Sequence, residues 1–289
     1  YDIASQKVDV IPGFPYPARI AVNWKGVPAS WLSLNYHVSD IFVSHQGVCF
    51  DSQYVYTIDT EKIYKRDLDL TVIPDNNKSL SDYQLYKDVE NKIEYPDNEK
   101  PNHFGDGCQY GDYLYIPVEY YKNKDNMGNC NILKISKADL ELEDQYQITK
   151  LVGPIPNPMP DTPFEISGIG TDGNFLYVVS YHDGSKVWKY DLDGKYNSVI
   201  TLRKVINNIQ GIAINTKYNE MYISDDENKE IVVFDMDGNY LSTIYKIGNK
   251  DGNITIEGLD TVDDEIKVLI ETYPPNLRED RLHYLNFIE

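Results

Sequence analysis

Five segments of the chain repeat one order of polar and apolar positions. Each opens on a polar residue followed by glycine: Gln46-Gly47, Asp106-Gly107, Ser167-Gly168, Gln210-Gly211 and Glu257-Gly258. A short apolar strand comes next, then a polar turn such as Asp51-Ser52 or Asp172-Gly173-Asn174. A second strand follows, carried by Tyr54-Val55-Tyr56, Tyr113-Leu114-Tyr115, Phe175-Leu176-Tyr177, Met221-Tyr222-Ile223 and Ile266-Lys267-Val268. A third strand runs apolar or alternates, as in Val187-Trp188-Lys189-Tyr190 and Ile231-Val232-Val233-Phe234. Residues 198–202 and 240–244 add fourth strands. Short runs of aromatic and branched residues between turn formers predict β-structure, and no long amphipathic helical stretch interrupts them.

The polar-Gly pairs recur every 43 to 61 residues. A period of that length predicts repeated β-units arranged around one axis. The fold expected is all-β, a single five-bladed β-propeller over residues 1–289. Its blades fall at about 41–73, 104–150, 164–206, 207–249 and 253–289. The last unit shows only three strands, so residues 19–24 are the expected fourth strand, closing the ring and removing its exposed edge. A β-sandwich, or a six-bladed ring with a unit hidden in 19–44, are the competing arrangements. Residues 74–104 are too long for a simple link and are expected to fold over one face. Asp191-Leu192-Asp193-Gly194 and Asp235-Met236-Asp237-Gly238 resemble the start of a Ca²⁺ loop but lack its closing Glu, and read better as hairpin turns.

Such a ring gathers matching residues. The starts of the first strands and the ends of the second strands open on one face, because the two strands are antiparallel neighbours. The inner set is Gln46, Asp106, Ser167, Gln210 and Glu257, all with oxygen donors. Hard oxygen ligands suit Ca²⁺, so these five are candidate metal ligands. A hydrated polar tunnel is the alternative, and catalytic carboxylates a third reading. The outer set, Asp59, Glu119, Ser180, Asp225 and Glu271, together with His182, is the candidate ligand-binding face. His45, His103 and Glu165 lie just before first strands and are the candidate proton-transfer groups.

Composition narrows the partners. The formal net charge of −19 opposes binding to nucleic-acid phosphates or anionic membranes. No apolar run approaches the about 18 residues of a membrane span. The 25 Tyr against 8 Phe suit half-buried strands with wet hydroxyls. Cys49, Cys108 and Cys130 lack zinc or redox spacing; Cys49 and Cys108, on first strands of neighbouring units, read as packed thiols, with a disulfide as the alternative. The start at Tyr1 and the acceptor triplets Asn77-Lys78-Ser79 and Asn253-Ile254-Thr255 fit a processed, secreted or extracytoplasmic protein.

The runs Gln210-Gly211-Ile212-Ala213, Tyr222-Ile223-Ser224-Asp225-Asp226-Glu227 and 231–238, with Glu257-Gly258-Leu259-Asp260, resemble the SdiA-regulated family of five-bladed propellers. The resemblance covers about 80 residues well. It implies an extracytoplasmic propeller with a cation site near its axis. NHL-type and lactonase-like propellers share similar signatures. Gln46-Gly47 also resembles plant-type glutaminyl cyclases, but their tryptophan-lined pocket has no counterpart here. Trp24 and Trp31 precede the first blade and Trp188 sits on a third strand.

Two functions follow as expectations. One is a binding module for a small molecule or glycan, with a Ca²⁺-like ion on the axis. The other is a metal-dependent hydrolase of phosphoesters or lactones, with His45, His103 or a carboxylate moving protons.

Overall fold

The fold was obtained as a computed structural model. It describes residues 46–68, 71–123 and 125–247, the backbone of 18–19 and 31–37, and the strands between 254 and 288, with side chains in part of 255–268. It is all-β, a propeller-like arrangement of antiparallel sheets.

The N-terminal strands are β1 (Ala18–Arg19) and β2 (Trp31–His37). The first sheet holds β3 (Gly47–Phe50), β4 (Tyr54–Asp59), β5 (Lys62–Asp67) and β6 (Val72–Ser79) in that order. A small hairpin follows, β7 (Tyr86–Asp88) with β8 (Ile93–Glu94), then β9 (His103–Phe104). The second sheet runs β10 (Cys108–Tyr110), β11 (Tyr113–Asn123), β12 (Asn126–Ser136) and β13 (Leu142–Gln147), with β9 beside β11 and β14 (Val152–Gly153) beside β12. The third holds β15 (Gly168–Thr171), β16 (Phe175–Val179), β17 (Lys186–Asp191) and β18 (Tyr196–Thr201). The fourth holds β19 (Ile212–Asn215), β20 (Glu220–Asp225), β21 (Glu230–Asp235) and β22 (Tyr240–Ile247), with β1 on its outer edge. The fifth runs β23 (Ile254–Val262), β24 (Glu265–Thr272), β25 (Glu279–Ile288) and then β2.

Side-chain parity explains why the second strands are apolar throughout. On β11, Leu114, Ile116 and Val118 point into a cluster shared with Cys49, Tyr56, Ile58 and Ile63 of the first sheet. The intervening Tyr115 points the other way, toward Ile169, Leu176, Val178 and Trp188 of the third sheet. On β16, Leu176 and Val178 join that second cluster, while Tyr177 and Val179 meet Ile212, Met221 and Phe234 of the fourth. Successive strand residues face opposite sides, and here both sides are buried between stacked sheets. Each such side chain contributes about 1.5–3 kcal/mol on leaving water. A cation–aromatic stack recurs outside these cores: Lys65, Lys134 and Lys189 lie 4.1, 4.5 and 3.7 Å from the rings of Tyr54, Tyr113 and Phe175.

The turn reading of 191–194 and 235–238 holds. Asp191 Oδ1 accepts from the amides of Asp193 and Lys195, and Asp235 Oδ1 from those of Asp237 and Asn239.

Two placements differ from the sequence expectation. Arg19 pairs with Lys246 of β22, and β25 pairs along its length with β2, from Trp31↔Ile288 to His37↔Leu282. Residues 31–37 therefore take the position expected of 19–24, of which 20–24 lie outside the described residues. Leu32-Ser33-Leu34-Asn35-Tyr36-His37 alternates apolar and polar, the period of a strand. Residues 74–104 are drawn into the core over part of their length. Leu80, Tyr83, Leu85 and Tyr95 are buried in the cluster of the first two sheets, and Tyr83 Oη donates to Leu140 O at 2.9 Å. Four large apolar side chains made core insertion the stronger option.

Candidate functional site at the axis and its open face

The polar-Gly starts meet in a closed cycle. A Cβ on Gly47 would stand 2.6 Å from Asp106 Cα, and one on Gly168 3.0 Å from Gly211 Cα. One on Gly211 would stand 2.9 Å from Leu259 N, and one on Gly258 2.9 Å from Gly47 Cα. The remaining link is main-chain: Asp106 N donates to Ser167 O at 2.8 Å, and Ile169 N to Asp106 O at 2.9 Å. Only glycine lets these backbones approach so closely.

Asp106 fills the centre of the cycle and is wholly buried. Val48 N donates to its Oδ1 at 3.0 Å, and Leu259 N to its Oδ2 at 2.9 Å. The Cα hydrogens of Gly47 and Gly211 crowd the same oxygens, since a Cβ on either would lie 2.5 Å away. Amide donors thus meet both of its oxygens, whereas Ca²⁺ needs about 6–8 oxygens around it. Asp106 therefore acts as a plug tying three sheets together. Burial pushes its carboxyl well above the ordinary range; the two amide bonds act the other way, and Asp260 and Glu257 add to the rise. Among the described residues, no group of three or more His, Cys, Asp or Glu is placed to hold a metal ion. The other four inner residues are spread around the plug. Gln46 Oε1 meets His103 Nε2 at 3.1 Å, Ser167 Oγ donates to Val179 O at 3.4 Å, the Gln210 amide donates to Ser224 Oγ at 3.1 Å, and Glu257 is buried near Asp106.

The starts of the first strands do share a face with the ends of the second. Gln46 N donates to Ile58 O, Ser167 N to Val179 O, and Ser224 N to Gly211 O. On this face Glu165 is the hub. Its buried carboxylate accepts from Ser180 Oγ at 2.6 Å and from the amides of Tyr181 and His182 at 3.1 and 3.3 Å. His182 Nδ1 lies 3.4 Å from Glu165 Oε2. Glu119, also buried, accepts from Ile166 N at 3.1 Å and lies 3.8 Å from Cys130 Sγ. Burial first, and then the charge of Glu165, hold the Glu119 carboxyl well above its ordinary 4.5. His103 is pushed below its ordinary 6.5 by burial, against the pull of Glu165 and Asp59.

Aromatic rings flank these carboxylates. The rings of His103 and Tyr121 lie 5.5 Å apart, and those of Tyr181 and His182 5.0 Å apart. Burial raises the Tyr181 phenol, and the fields of Asp226, Glu257 and Glu165 raise it further. Asp226 accepts from Ile256 N at 2.9 Å and from Lys229 Nζ at 2.6 Å. Thus His103, Glu119, Glu165, Ser180 and His182 converge. Asp59 stays within electrostatic reach and bonds its neighbouring Thr60 amide. Asp225 instead caps its own turn through Asn228. Glu271 pairs by backbone with Thr255, its side chain lying outside the described residues, as does His45. Tyr121, Tyr181 and Cys130 were not singled out from the sequence as part of this face. Tyr121 and Tyr181 do follow the second-strand ends Glu119 and Ser180, a positional signal that could have found them.

No family model matches the chain, and no curated protein does. Solved structures do. The chain is similar to Myxococcus xanthus glutaminyl cyclase with a TM-score of 0.55 and 10% identity, covering 94% of this chain and 97% of that one. A luciferin-regenerating enzyme gives 0.49 and 10% identity over 89% and 95% of the two chains. A streptogramin B lyase gives 0.40 and 13% over 86% and 72%. These are propeller-type folds, and at such identity the first shows the fold alone.

Proposed function

We propose that the five sheets are the blades of a closed five-bladed propeller, with β2 completing the last blade, and that the Glu165 face binds a small molecule bearing a cationic amine. The SdiA-like signature of residues 210–260 supports the blade count, and the cycle from Gly47 through Gly258 back to Gly47 supports closure. The observation that carries the ligand class is the pair of buried carboxyl groups of Glu119 and Glu165 on one face with the rings of His103, Tyr121, Tyr181 and His182. Buried carboxylates are costly unless a positive group meets them, and an ammonium is held well over aromatic faces. The net charge of −19 draws such ligands from solution. An extracytoplasmic place is part of the same reading, resting on the acceptor triplets and the acidic composition.

Calorimetric titration with choline, spermidine and an amidated dipeptide, against neutral isosteres of each, tests it. Cationic members should bind, salt should weaken them, and Tyr181→Ala should abolish the preference. Equal binding of charged and neutral members would overturn the ligand class. Enhancement by Ca²⁺ would restore the axial ion in place of the amine.

A further inference from the structure

The other end of the axis carries a cavity that the amine reading leaves unused. It has a volume of about 490 Å³, within the usual ~300–1,000 Å³ of small-molecule sites. It lies toward the ends of β10, β15, β19 and β23, the strands that begin near Asp106. Tyr110, Thr171, Asp172, Asn215, Asp260 and Thr261 are among its walls.

These walls are held in place before any ligand arrives. Asp172 Oδ1 accepts from the amides of Asn174 and Phe175 at 2.8 Å, and its Oδ2 from Tyr177 Oη at 2.8 Å. Asp260 accepts from the amides of Phe50 and Thr261 at 2.6 and 2.8 Å. Thr261 Oγ1 donates to Ile214 O at 2.7 Å. Asp172 Oδ2, with the Tyr177 hydroxyl as its one donor shown here, keeps a further lone pair for an O–H donor. Tyr110 is 45% exposed, and its ring lies against Gly173, where a Cβ would meet ring carbon Cε2 at 2.8 Å. Gly173, at φ +86°, thus seats an aromatic plate on the rim.

Among the described residues the lining includes Asp172 and Asp260 and no Lys or Arg, which disfavours phosphates and carboxylates as ligands. The carboxylates already receive amide and phenol hydrogens, so hydroxyl donors fit them better than a second full charge. Fixed carboxylate acceptors, threonine hydroxyls and one exposed ring suit a molecule with hydroxyls on its edge and C–H groups on its face. We propose that this cavity binds a neutral sugar ring, either a free monosaccharide or the terminal residue of a glycan.

Ligand-observed and amide NMR on the full chain, with glucose, galactose, mannose and N-acetylglucosamine as free sugars and as methyl glycosides, test the proposal. At least one should bind and shift the amides of Gly170 and Gly173. Tyr110→Ala should weaken it by tenfold or more, whereas Tyr121→Ala on the opposite face should not. Thr261→Val, losing the bond to Ile214 O, gives a second reading should Tyr110→Ala unfold. Preference for free sugars over methyl glycosides marks the monosaccharide form of the site, and the reverse its glycan form. Absence of binding by the whole panel at 50-mM-scale concentration, or binding unmoved by both cavity variants, would overturn it. So would displacement of a bound sugar by spermidine, because the lining would then be selecting charge.

Discussion

Replacing Asp106 gives the sharpest test of the axial plug. Asp106→Ala removes the acceptors of Val48 N and Leu259 N, two buried amides on different sheets. A buried donor left without its partner costs about 1–3 kcal/mol, so the pair costs ~2–6 kcal/mol. The vacated space is lined by Gly47, Gly211 and Gly258 and is narrow, so one water can relieve one amide at most. Asp106→Asn keeps one acceptor and turns an NH₂ toward the other amide, for about half that cost. Urea unfolding followed by far-ultraviolet circular dichroism reads both. With a slope near the upper end of the usual range, ~3 kcal/mol/M, the midpoint of Asp106→Ala should fall by about 0.7–2 M. Because Gly211 presses on Oδ2, Gly211→Ala should be less harmful in the Asp106→Ala background than alone, a coupling that a double-mutant cycle measures. An Asp106→Ala midpoint equal to that of the parent, together with additive effects of Gly211→Ala, would refute the plug.

Further outcomes follow from the same contacts. Gly184→Ala sets a Cβ on Ile206 O and should cost upward of about 3 kcal/mol, whereas Gly153→Ala meets nothing and should stay within about 0.5 kcal/mol in the same urea assay. Glu165→Gln weakens the bonds from Ser180, Tyr181 and His182 for about 1–3 kcal/mol. It should also let the Glu119 carboxyl titrate lower, read by carbon-13 NMR, since the Glu165 charge holds it up. Glu119 binds a proton more tightly folded than unfolded, so its contribution is full below about 4.5 and is lost as pH rises through its folded value. Glu119→Gln should therefore gain stability over the parent on going from pH 4 to pH 7. His103 has the opposite sign: its contribution is present above 6.5 and fades below it, which His103→Ala should flatten in a melting-temperature profile. Cys49, Cys108 and Cys130 are buried and free, with burial raising each thiol, so Ellman's reagent should react only on unfolding.

The blade-like sheets were legible because strand periodicity and turn chemistry are local. Tyr113-Leu114-Tyr115 and Asp191-Leu192-Asp193-Gly194 declare a strand and a hairpin by themselves. The shared face was legible too, since antiparallel pairing puts Ser167 beside Val179 whatever the rest does. What an oxygen would bind was not legible. Asp106 and Glu257 look alike as acids after an inner-strand approach, yet Asp106 meets amides from residues 58 and 153 positions away. Its flanks, Gly105 and Gly107, hinted at a tight backbone approach but not at which amides would arrive. Nor could local pattern say whether 19–24 or 31–37 would reach β25, because both read as strand and only their tertiary partners differ.

The bonds from Leu259 to Asp106 and from Phe50 to Asp260 span 153 and 210 positions of the chain. Contacts so remote form late, after most loop entropy has been lost. The chain should thus mature slowly and then lock: its last-made contacts are the same ones that a denaturant or a mechanical pull must break before the sheets can part. Long survival once assembled, in addition to equilibrium stability, is the property that this molecular latch confers.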